Sequence, residues 1–376
     1  MSFSHGGDVL GFAEAYGYRV DEVIDLSSNI NFIKPSIDID FNALNISSYP
    51  NYTELLEAIS QNYGCSSEAI ELYNGATSAI YSLFRSLDID TRLFAKLGTD
   101  GFLKESARHK SLAFFGTKVS DSEEFCKKNT INLYAPIYLE YKRCAILHGY
   151  QINYINRFEN LYQDIAPNSL VVFVNPSTPD GMFYDIDRLM QLWIKRGATI
   201  VLDESFLDFT NFQSAISYLG SYDRLYIIKS MTKFYSSAGI RVGCVISSEQ
   251  NIKRLKKSEP IWKISEFDSQ YLQSALRDRE FRVKSLETNS KNRAKTIEVL
   301  KRSSYIDEVY PSSANFVLVR LKDITAKEFQ EMLIPHKIMI RDCFNFDFLD
   351  NRFVRIAIKD KNAIEKLKEA LCESSI

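Results

Sequence analysis

The sequence predicts an α/β protein with one large, mainly parallel α/β/α domain and one smaller α+β domain. Two patterns indicate this: short apolar strands alternate with a helix in the middle of the chain, and charged helical stretches precede further strands in the last third. The 376 residues suffice for roughly two or three domains, and 45% apolar content suffices for a large core. These values exclude a disordered or fibrous protein.

Buried strands of the large domain are expected where apolar runs lie between turn residues. These runs are LVVFV at 170–174, TIVLD at 199–203 and RLYIIK at 224–229. The stretch between the first two has the apolar spacing of a helix, with Asp185 as its candidate N-cap and Gly197 as its stop. Strands of this kind, alternating with helices, are typical of a parallel sheet that binds ligands at the carboxyl ends of its strands.

The last third of the chain has a different character. Long charged amphipathic stretches at 266–303 are followed by strands, and a final helix is expected from Asn362. The strands are expected in ANFVLVRL (314–321), HKIMIRD (336–342) and RFVRIAI (352–358). We therefore expect the following division: an N-terminal arm that is part of the small domain (1–45), the large domain (46–262) and the C-terminal small domain (263–376).

Charge and composition restrict the partners. The 46 lysines and arginines nearly balance 48 acidic residues, giving a net charge of −2, and both signs are spread along the chain. No basic field is present to bind nucleic acid or an anionic membrane. The N-terminal segment lacks the apolar stretch of a signal peptide, and no window reaches 18 apolar residues. We expect a soluble, cytoplasmic enzyme that acts on a small molecule.

The six cysteines form no C-x-x-C pair and no nearby histidine completes a zinc set, so neither a metal centre nor a disulfide framework is expected. They are Cys65, Cys126, Cys144, Cys244, Cys343 and Cys372. Neither G-x-G-x-x-G nor the Walker phosphate loop occurs in the sequence. Dinucleotide-binding and P-loop enzymes are therefore disfavoured.

The string IIKSMTKFYSSAGIRVG at 227–243 carries the strongest indication of function. Lys233 follows a predicted strand that ends in small hydroxyl residues, and Arg241 comes later, between two glycines. In such a setting a lysine can be partly desolvated and an arginine can bind a phosphate. A lysine alone indicates little, because most lysines are solvated surface charges. The spacing S-x-T-K, then Gly239, then R-x-G is more specific.

Two other positions suggest ligand contacts. Asp203 ends the predicted strand TIVLD, and a carboxylate buried there requires a cation, because burying a lone charge is costly. Gly75, Ala76 and Thr77 begin a helix with an apolar period, and the free amides at such a helix start bind phosphate. By itself the dipeptide Asn74-Gly75 is only a turn signal.

Together these strings resemble the fold-type I enzymes that use pyridoxal 5′-phosphate (PLP). The resemblance implies that Lys233 forms an imine with the cofactor and that Asp203 keeps its ring nitrogen protonated. It also implies that a set of residues binds the cofactor phosphate: Ser230, Arg241 and the helix start at Gly75, Ala76 and Thr77.

Two aromatic strings extend the resemblance. APIYLEY at 135–141 resembles a family segment, P-x-Y/F-x-x-Y, whose first aromatic residue lies against the pyridine ring; here that residue is Tyr138. SSYPNY at 47–52 resembles the arm whose tyrosine reaches the cofactor phosphate of the partner subunit, which is the role implied for Tyr49. The resemblance therefore implies a homodimer with shared active sites.

The sequence departs from the family pattern at two cofactor contacts. In NPSTPDG at 175–181, Thr178 stands where the family has an asparagine that hydrogen-bonds the phenolic oxygen of PLP. Phe206 stands where many aminotransferases have a tyrosine, and a phenylalanine cannot donate a hydrogen bond. With fewer donors at the phenolic oxygen, the pKa of the imine nitrogen should be raised.

Within fold type I the sequence most resembles threonine-phosphate decarboxylases of cobalamin biosynthesis, which are near relatives of histidinol-phosphate aminotransferases. The opening HGGD at 5–8, the string DLSSNIN at 25–31 and the segment MIRDCFNF at 339–346 are similar to those decarboxylases. This implies decarboxylation of L-threonine O-3-phosphate or L-serine O-phosphate to the amino-alcohol phosphate used in cobamide biosynthesis.

Five residues are candidates for substrate binding. Arg341 and Arg355 offer planar forks for a carboxylate or a phosphate, and the sequence does not assign which arginine binds which anion. The resemblance adds His5, Asn29 and Asn31 from the N-terminal arm. Threonine phosphate and serine phosphate also stay open, because one methyl group changes binding by only ~1–3 kcal/mol.

Two other functions remain in consideration. One is transamination of histidinol phosphate or a similar amine, and the other is a protein of this fold that has lost catalysis and serves as a binding module. The segment 88–133 shows no clean period and makes the chain longer here than in relatives, so part of it is expected to be an insertion. A surface position is favoured over a role in substrate access.

Overall fold

The computed structural model describes residues 6–92 and 130–373, and its centre is a seven-stranded sheet. In spatial order the strands are β2 (Ile70–Asn74), β8 (Val242–Ser247), β7 (Leu225–Ser230), β6 (Thr199–Asp203), β5 (Leu170–Val174), β3 (Thr130–Ala135) and β4 (Gln151–Asn156). Strand β8 is antiparallel to both of its neighbours, and the adjacent pairs from β7 to β4 are parallel. The predicted α/β fold with a mainly parallel sheet is confirmed.

Helices and apolar clusters cover both faces of this sheet. The helices of this part of the chain are α2 (Thr53–Tyr63), α3 (Gly75–Arg92), α4 (Leu139–Leu147), α5 (Asp187–Lys195), α6 (Met231–Phe234) and α7 (Glu249–Lys256). On β6, Val201 and Leu202 are adjacent in sequence and pack into apolar clusters on opposite faces of the sheet. Burial on both sides explains why these strands are continuously apolar in sequence.

Helix α5 follows the local signals in the sequence. The carboxylate of Asp185 accepts a hydrogen bond from the N–H of Asp187 at 3.1 Å, which satisfies a donor at the helix start. Gly197 has φ of +63°, the left-handed conformation that ends many helices, and it follows the last turn directly. Between these ends, Leu189 and Trp193 are fully buried against the sheet.

The C-terminal third forms a second, four-stranded antiparallel sheet. Its strands are β9 (Ile306–Val309), β10 (Phe316–Leu321), β12 (Arg341–Asp342) and β13 (Phe353–Ala357). The remaining helices are α1 (Val9–Tyr16), α8 (Glu266–Arg277), α9 (Arg279–Lys301), α10 (Ala326–Leu333) and α11 (Lys361–Glu373). Strand β1 (Ile24–Asp25) pairs in parallel with β11 (Ile338–Met339), so the N-terminal segment lies against C-terminal elements.

The single strand expected in HKIMIRD is replaced by two short strands in different sheets, β11 and β12. The side chain of Gln330 explains the break. Its Nε2 donates to the carbonyl oxygen of Ile338 and its Oε1 accepts from the N–H of Ile340, both at 2.8 Å. These bonds satisfy two backbone groups at the point where the chain leaves β1 and joins β13.

None of the described helices is long and apolar enough to cross a membrane. In residues 6–92 and 130–373, no group of histidine, cysteine, aspartate and glutamate side chains is arranged to hold a metal ion.

The aromatic centre of the large core should tolerate truncation poorly. Trp193 is fully buried, packs against Phe173 with ring centroids 5.5 Å apart, and donates from Nε1 to the Tyr134 hydroxyl at 2.9 Å. Trp193→Ala should lower the free energy of unfolding by about 3–5 kcal/mol, because it leaves a cavity and an unpaired hydroxyl. Urea unfolding measures this change. The adjacent Ile194→Ala, at a 36% exposed position, should change it by less than about 0.5 kcal/mol; equal losses would contradict the packing described here.

Candidate active site

A cavity of about 440 Å³ opens at the carboxyl ends of the central strands, where parallel sheets bind ligands. Asp203 is the last residue of β6, Ser230 is the last residue of β7, and Lys233 lies in the one-turn helix α6 that follows. All three line the cavity, and Arg341 and Arg355 from the second sheet line it as well. The site therefore lies between the two sheets.

Lys233 has the electrostatic surroundings of a reactive amine. Burial lowers the pKa of Lys233, the positive charges of Arg355 and Arg241 lower it as well, and Asp203 opposes the shift, so that the pKa is about 8. At neutral pH this amine is therefore neutral far more often than that of an ordinary exposed lysine. A neutral amine is the form that attacks a carbonyl group.

Asp203 is a buried carboxylate with hydrogen-bond donors at both oxygens. The hydroxyl of Tyr141 donates to Oδ2 at 2.8 Å, and the N–H of Ser205 donates to Oδ1 at 2.9 Å. Burial raises the pKa of Asp203, and these hydrogen bonds oppose the rise. Within the described parts of the chain, no lysine or arginine forms an ion pair with it. Its position in the cavity wall therefore suits a cation carried by a ligand.

The start of α3 and Arg241 form a cradle for an anion. Gly75 has φ of +77°, and a Cβ added there would lie 2.6 Å from Nη2 of Arg241. A Cβ added at Gly243 would lie 2.6 Å from the backbone nitrogen of Ala76. The two glycines thus allow the helix start, the guanidinium and β8 to approach closely. Free amides at a helix start together with an arginine bind phosphate groups well.

Hydroxyl groups complete this part of the cavity. The side-chain oxygens of Ser230 and Thr232 lie 2.8 Å apart, and both residues line the cavity beside Thr77. Tyr138 lies directly before α4 and presents its ring to the same space. Burial raises the pKa of Tyr138, and a hydrogen bond with Thr77 opposes that rise. This part of the wall therefore combines hydroxyl groups that can bind a phosphate with the aromatic side chain of Tyr138.

Arg355 is buried against neutral oxygens. Its Nη1 donates to the Thr178 hydroxyl at 3.3 Å, its Nη2 donates to the carbonyl of Ser27 at 2.9 Å, and its buried Nε has no partner among the described residues. Burial and, to a smaller extent, the charge of Arg341 together lower the pKa of Arg355 to about 10, while Cys343 opposes the shift. Thr178, predicted to contact a cofactor oxygen, thus contacts the guanidinium beside the cavity.

Arg341 and Arg355 lie directly opposite each other in the antiparallel pair of β12 and β13. They are only 7% and 8% exposed. Arg341 donates to the carbonyl oxygen of Asp342 and to Oδ1 of Asn345, both at 2.7 Å. Like charges directly opposite each other destabilise a sheet. A ligand with negative charge would relieve this repulsion.

The structure brings most of the predicted site residues to one cavity. Those that line it are Asn29, Ala76, Thr77, Tyr138, Thr178, Asp203, Ser230, Lys233, Arg241, Arg341 and Arg355. Gly75 does not line the cavity, but it lies against the guanidinium of Arg241, which does. Phe206 also lines the cavity and packs edge-on against Phe316, with ring centroids 5.0 Å apart.

Asn31 and Tyr49 lie outside this cavity, and His5 lies outside the described residues. Asn31 lies outside the cavity wall, because its side chain donates to the carbonyl of Phe234 and to Ser285. Tyr49 is 74% exposed and stacks on Trp262 with ring centroids 4.0 Å apart, so a role toward a second subunit stays a prediction. His5 lies outside the described residues, as does segment 88–133 from residue 93 to residue 129.

Several contributors to the site were not predicted from the sequence. Tyr141 donates to Asp203, and it is the second tyrosine of the APIYLEY string, so that spacing already contained the signal. Thr232 lies within the S-x-T-K string. Asn345 contacts Arg341 and lies within the MIRDCFNF string, although no periodic pattern singles it out.

The pKa of Lys233 is directly testable with an amine-reactive reagent on the cofactor-free chain. Labelling at Lys233, followed by peptide mass spectrometry, should reach half its maximum near pH 8. Arg355→Gln should raise this midpoint because it removes a repelling charge, and Asp203→Asn should lower it because it removes an attracting one. The exposed Lys327 provides an internal reference in the same digest. Shifts of the same sign in both variants would contradict this electrostatic account.

Comparisons with known proteins identify relatives of two activities. The chain is 26% identical to a histidinol-phosphate aminotransferase from Methanocaldococcus jannaschii, over 96% of this chain and 91% of that protein. It is 27% identical to a protein provisionally named threonine-phosphate decarboxylase from Caldanaerobacter subterraneus, over 98% of this chain and 93% of that protein. The crystal structure of histidinol-phosphate aminotransferase from Clostridium acetobutylicum has a TM-score of 0.74 and 26% identity, and the match covers 93% of this chain and 99% of that one.

The aminotransferase class I and II family matches residues 123–371, and that family is PLP-dependent. The cavity fits this cofactor. Lys233 offers the amine, and Asp203 offers a buried carboxylate for the ring nitrogen. Arg241 and the amides at the start of α3 together offer a phosphate-binding site. The chain belongs to the aminotransferase class I and II family of PLP-dependent enzymes.

Proposed function

We propose that this protein decarboxylates a phosphorylated hydroxy-amino acid, either L-threonine O-3-phosphate or L-serine O-phosphate. The product would be the amino-alcohol phosphate, which belongs to the assembly of a cobamide. The relative provisionally named threonine-phosphate decarboxylase supports this activity, and so does the similarity of the N-terminal HGGD and DLSSNIN strings to such enzymes.

The facing pair Arg341 and Arg355 carries the proposal. These two arginines come from the second sheet and line the same cavity as Lys233, whereas Arg241 lies against Gly75 at the start of α3. A phospho-amino acid has two anionic ends, a carboxylate and a phosphate, and planar guanidiniums bind both groups in a bidentate manner. Two buried positive charges therefore match one doubly anionic substrate.

Placement of those anions would select the bond that breaks. When bound, PLP supplies an electron sink for the electron pair released at Cα of an attached amino acid. The arginines would fix the substrate carboxylate in the orientation that favours cleavage of its bond to Cα and loss of CO₂. The amine of Lys233 would then supply the proton that takes the place of the carboxylate at Cα.

Two side chains of the cavity wall support decarboxylation over transamination. Phe206 offers no hydroxyl where many aminotransferases have a tyrosine, and Thr178 is hydrogen-bonded to Arg355. Thr178 thus orients an anion-binding arginine from the position where the family has a cofactor contact.

A homodimer forms part of the proposal. Tyr49 and Trp262 stack on the surface, 74% and 49% exposed, outside the cavity of their own chain. Tyr49 would reach the cofactor phosphate of a second subunit from there, so each site would need both chains.

The second candidate is transamination of histidinol phosphate, favoured by the relatives from Methanocaldococcus jannaschii and Clostridium acetobutylicum. That reaction alternates a phosphorylated amine with a dicarboxylic oxo acid. It would use the two arginines in turn instead of together.

Released CO₂ is the decisive measurement. The PLP-loaded protein, incubated with each phospho-amino acid separately, should release CO₂ and form the amino-alcohol phosphate. Parallel incubation with histidinol phosphate and 2-oxoglutarate should give little glutamate. Glutamate without CO₂ would establish the second candidate, and neither product would favour a binding protein without catalysis.

Substitution of the arginine pair provides the matched test. Arg355→Gln should lower kcat/KM for the phospho-amino acid by about 10- to 100-fold, the loss expected for hydrogen bonds to a charged group. Arg352→Gln should leave it unchanged, because Arg352 is half-exposed and paired with Asp350 outside the cavity. Equal effects of the two variants would contradict the proposed anion site.

A further inference from the structure

The backbone around Lys233 depends on donors from outside its own helix. Helix α6 has a single turn, so its last carbonyl groups have no intrahelical partners. Ser237 satisfies two of them, with Oγ donating to the carbonyl of Met231 at 2.8 Å and N–H donating to that of Thr232 at 3.2 Å. The next two carbonyls, of Lys233 and Phe234, receive their hydrogen bonds from elsewhere in the chain.

Asn31 provides both of these hydrogen bonds. Its backbone N–H donates to the carbonyl of Lys233 at 3.0 Å, and its side-chain Nδ2 donates to the carbonyl of Phe234 at 2.9 Å. Asn31 is only 2% exposed, so water does not compete at this position. A residue far away in sequence therefore fixes two consecutive peptide groups of the lysine-bearing turn.

The same side chain is anchored on its other side to α9. Nδ2 of Asn31 also donates to Oγ of Ser285 at 2.9 Å, and Oδ1 accepts from Nδ2 of Asn289 at 3.2 Å and from the N–H of Ile33 at 3.2 Å. Every polar atom of the Asn31 side chain thus has a protein partner. The residue has no hydrogen-bonding capacity left for a substrate, in contrast to the role that the resemblance implied.

The short segment that carries Asn31 also contacts the anion-binding side of the cavity. The carbonyl of Ser27 accepts from Nη2 of Arg355, and Asn29 lines the cavity. Segment 27–31 therefore contacts Arg355 at one end and the backbone of Lys233 at the other. The position of segment 27–31 therefore affects both the amine of Lys233 and the anion site at Arg355.

We propose that Asn31 is a positioning residue for Lys233: it holds the lysine-bearing turn so that the amine faces the cofactor carbon and Asp203. The inference rests on the role of Lys233 within the proposed function, and it is independent of which substrate is used. A displacement of about 1 Å at a reacting group can cost on the order of 100-fold in rate. Hydrogen bonds to two adjacent carbonyls limit such a displacement.

The test compares Asn31→Ala with Ser285→Ala in the full-length, PLP-loaded protein. Both variants lose the hydrogen bond between Asn31 and Ser285, but only Asn31→Ala loses the bond to the carbonyl of Phe234. Two properties of Lys233 are measured: the pH at which the visible absorption of bound PLP changes, and the rate at which borohydride traps PLP on this lysine.

Asn31→Ala should shift the absorption midpoint by about half a pH unit or more and slow trapping by about tenfold. Ser285→Ala should match the wild type in both properties. Thermal unfolding verifies that each variant is folded. Equal behaviour of the two variants, or an unchanged midpoint and trapping rate in folded Asn31→Ala, would overturn the proposal.

If Asn31→Ala does not fold, Asn31→Ser provides the same comparison, because its shorter side chain keeps a polar group but loses the span to Phe234. The measurements on Lys233 need no substrate. A wild-type protein that binds PLP on Lys233 but releases no CO₂ would contradict the proposed decarboxylation and leave this inference open to its own result.

Discussion

The structure depends on how charge is buried at the carboxyl ends of β6 and β7. Side chains alternate along a strand, so consecutive residues face opposite sides of the sheet. On the side away from the cavity, Glu204 and Lys229 form an ion pair at 2.6 Å, and their side chains are only 3% and 2% exposed. On the cavity side, Asp203 has hydrogen-bond donors but no ion-pair partner in the described part of the chain. The buried charges on one face are thus paired within the protein, whereas Asp203 on the other face can pair with a cationic ligand.

This contrast explains why one strand edge serves both stability and chemistry. The ion pair of Glu204 and Lys229 joins adjacent strands, and Glu204 also accepts from the N–H of Ala215 at 2.7 Å. The backbone pairing of β6 with β7 brings Asp203 near the turn that carries Lys233. Burial and then the charges of Arg355 and Arg241 lower the pKa of Lys233, while Asp203 limits the shift. An amine with a lowered pKa and an ionisable carboxylate are the two groups that a PLP-dependent enzyme needs at this edge.

The parts of the fold predictable from sequence are those with strong local patterns. LVVFV and TIVLD match β5 and β6, because full burial demands continuous apolar residues, and Gly197 marks the end of α5 through its positive φ. HKIMIRD had a strand pattern as well, but its division depends on Gln330, which lies on another element. Local pattern contains no information about such a partner.

The same distinction applies to the site. Lys233, Asp203 and Arg241 were identifiable because their spacing is held within one strand edge and its turns. Asn31 illustrates the opposite case: its place in the DLSSNIN string suggested a ligand contact, yet its four side-chain hydrogen bonds all go to protein groups. A buried asparagine that is hydrogen-bonded to α6, to α9 and to its own segment constrains these parts relative to one another. The N-terminal segment thus has two kinds of residue, because Asn29 faces the cavity while Asn31, two positions later, faces the protein behind Lys233.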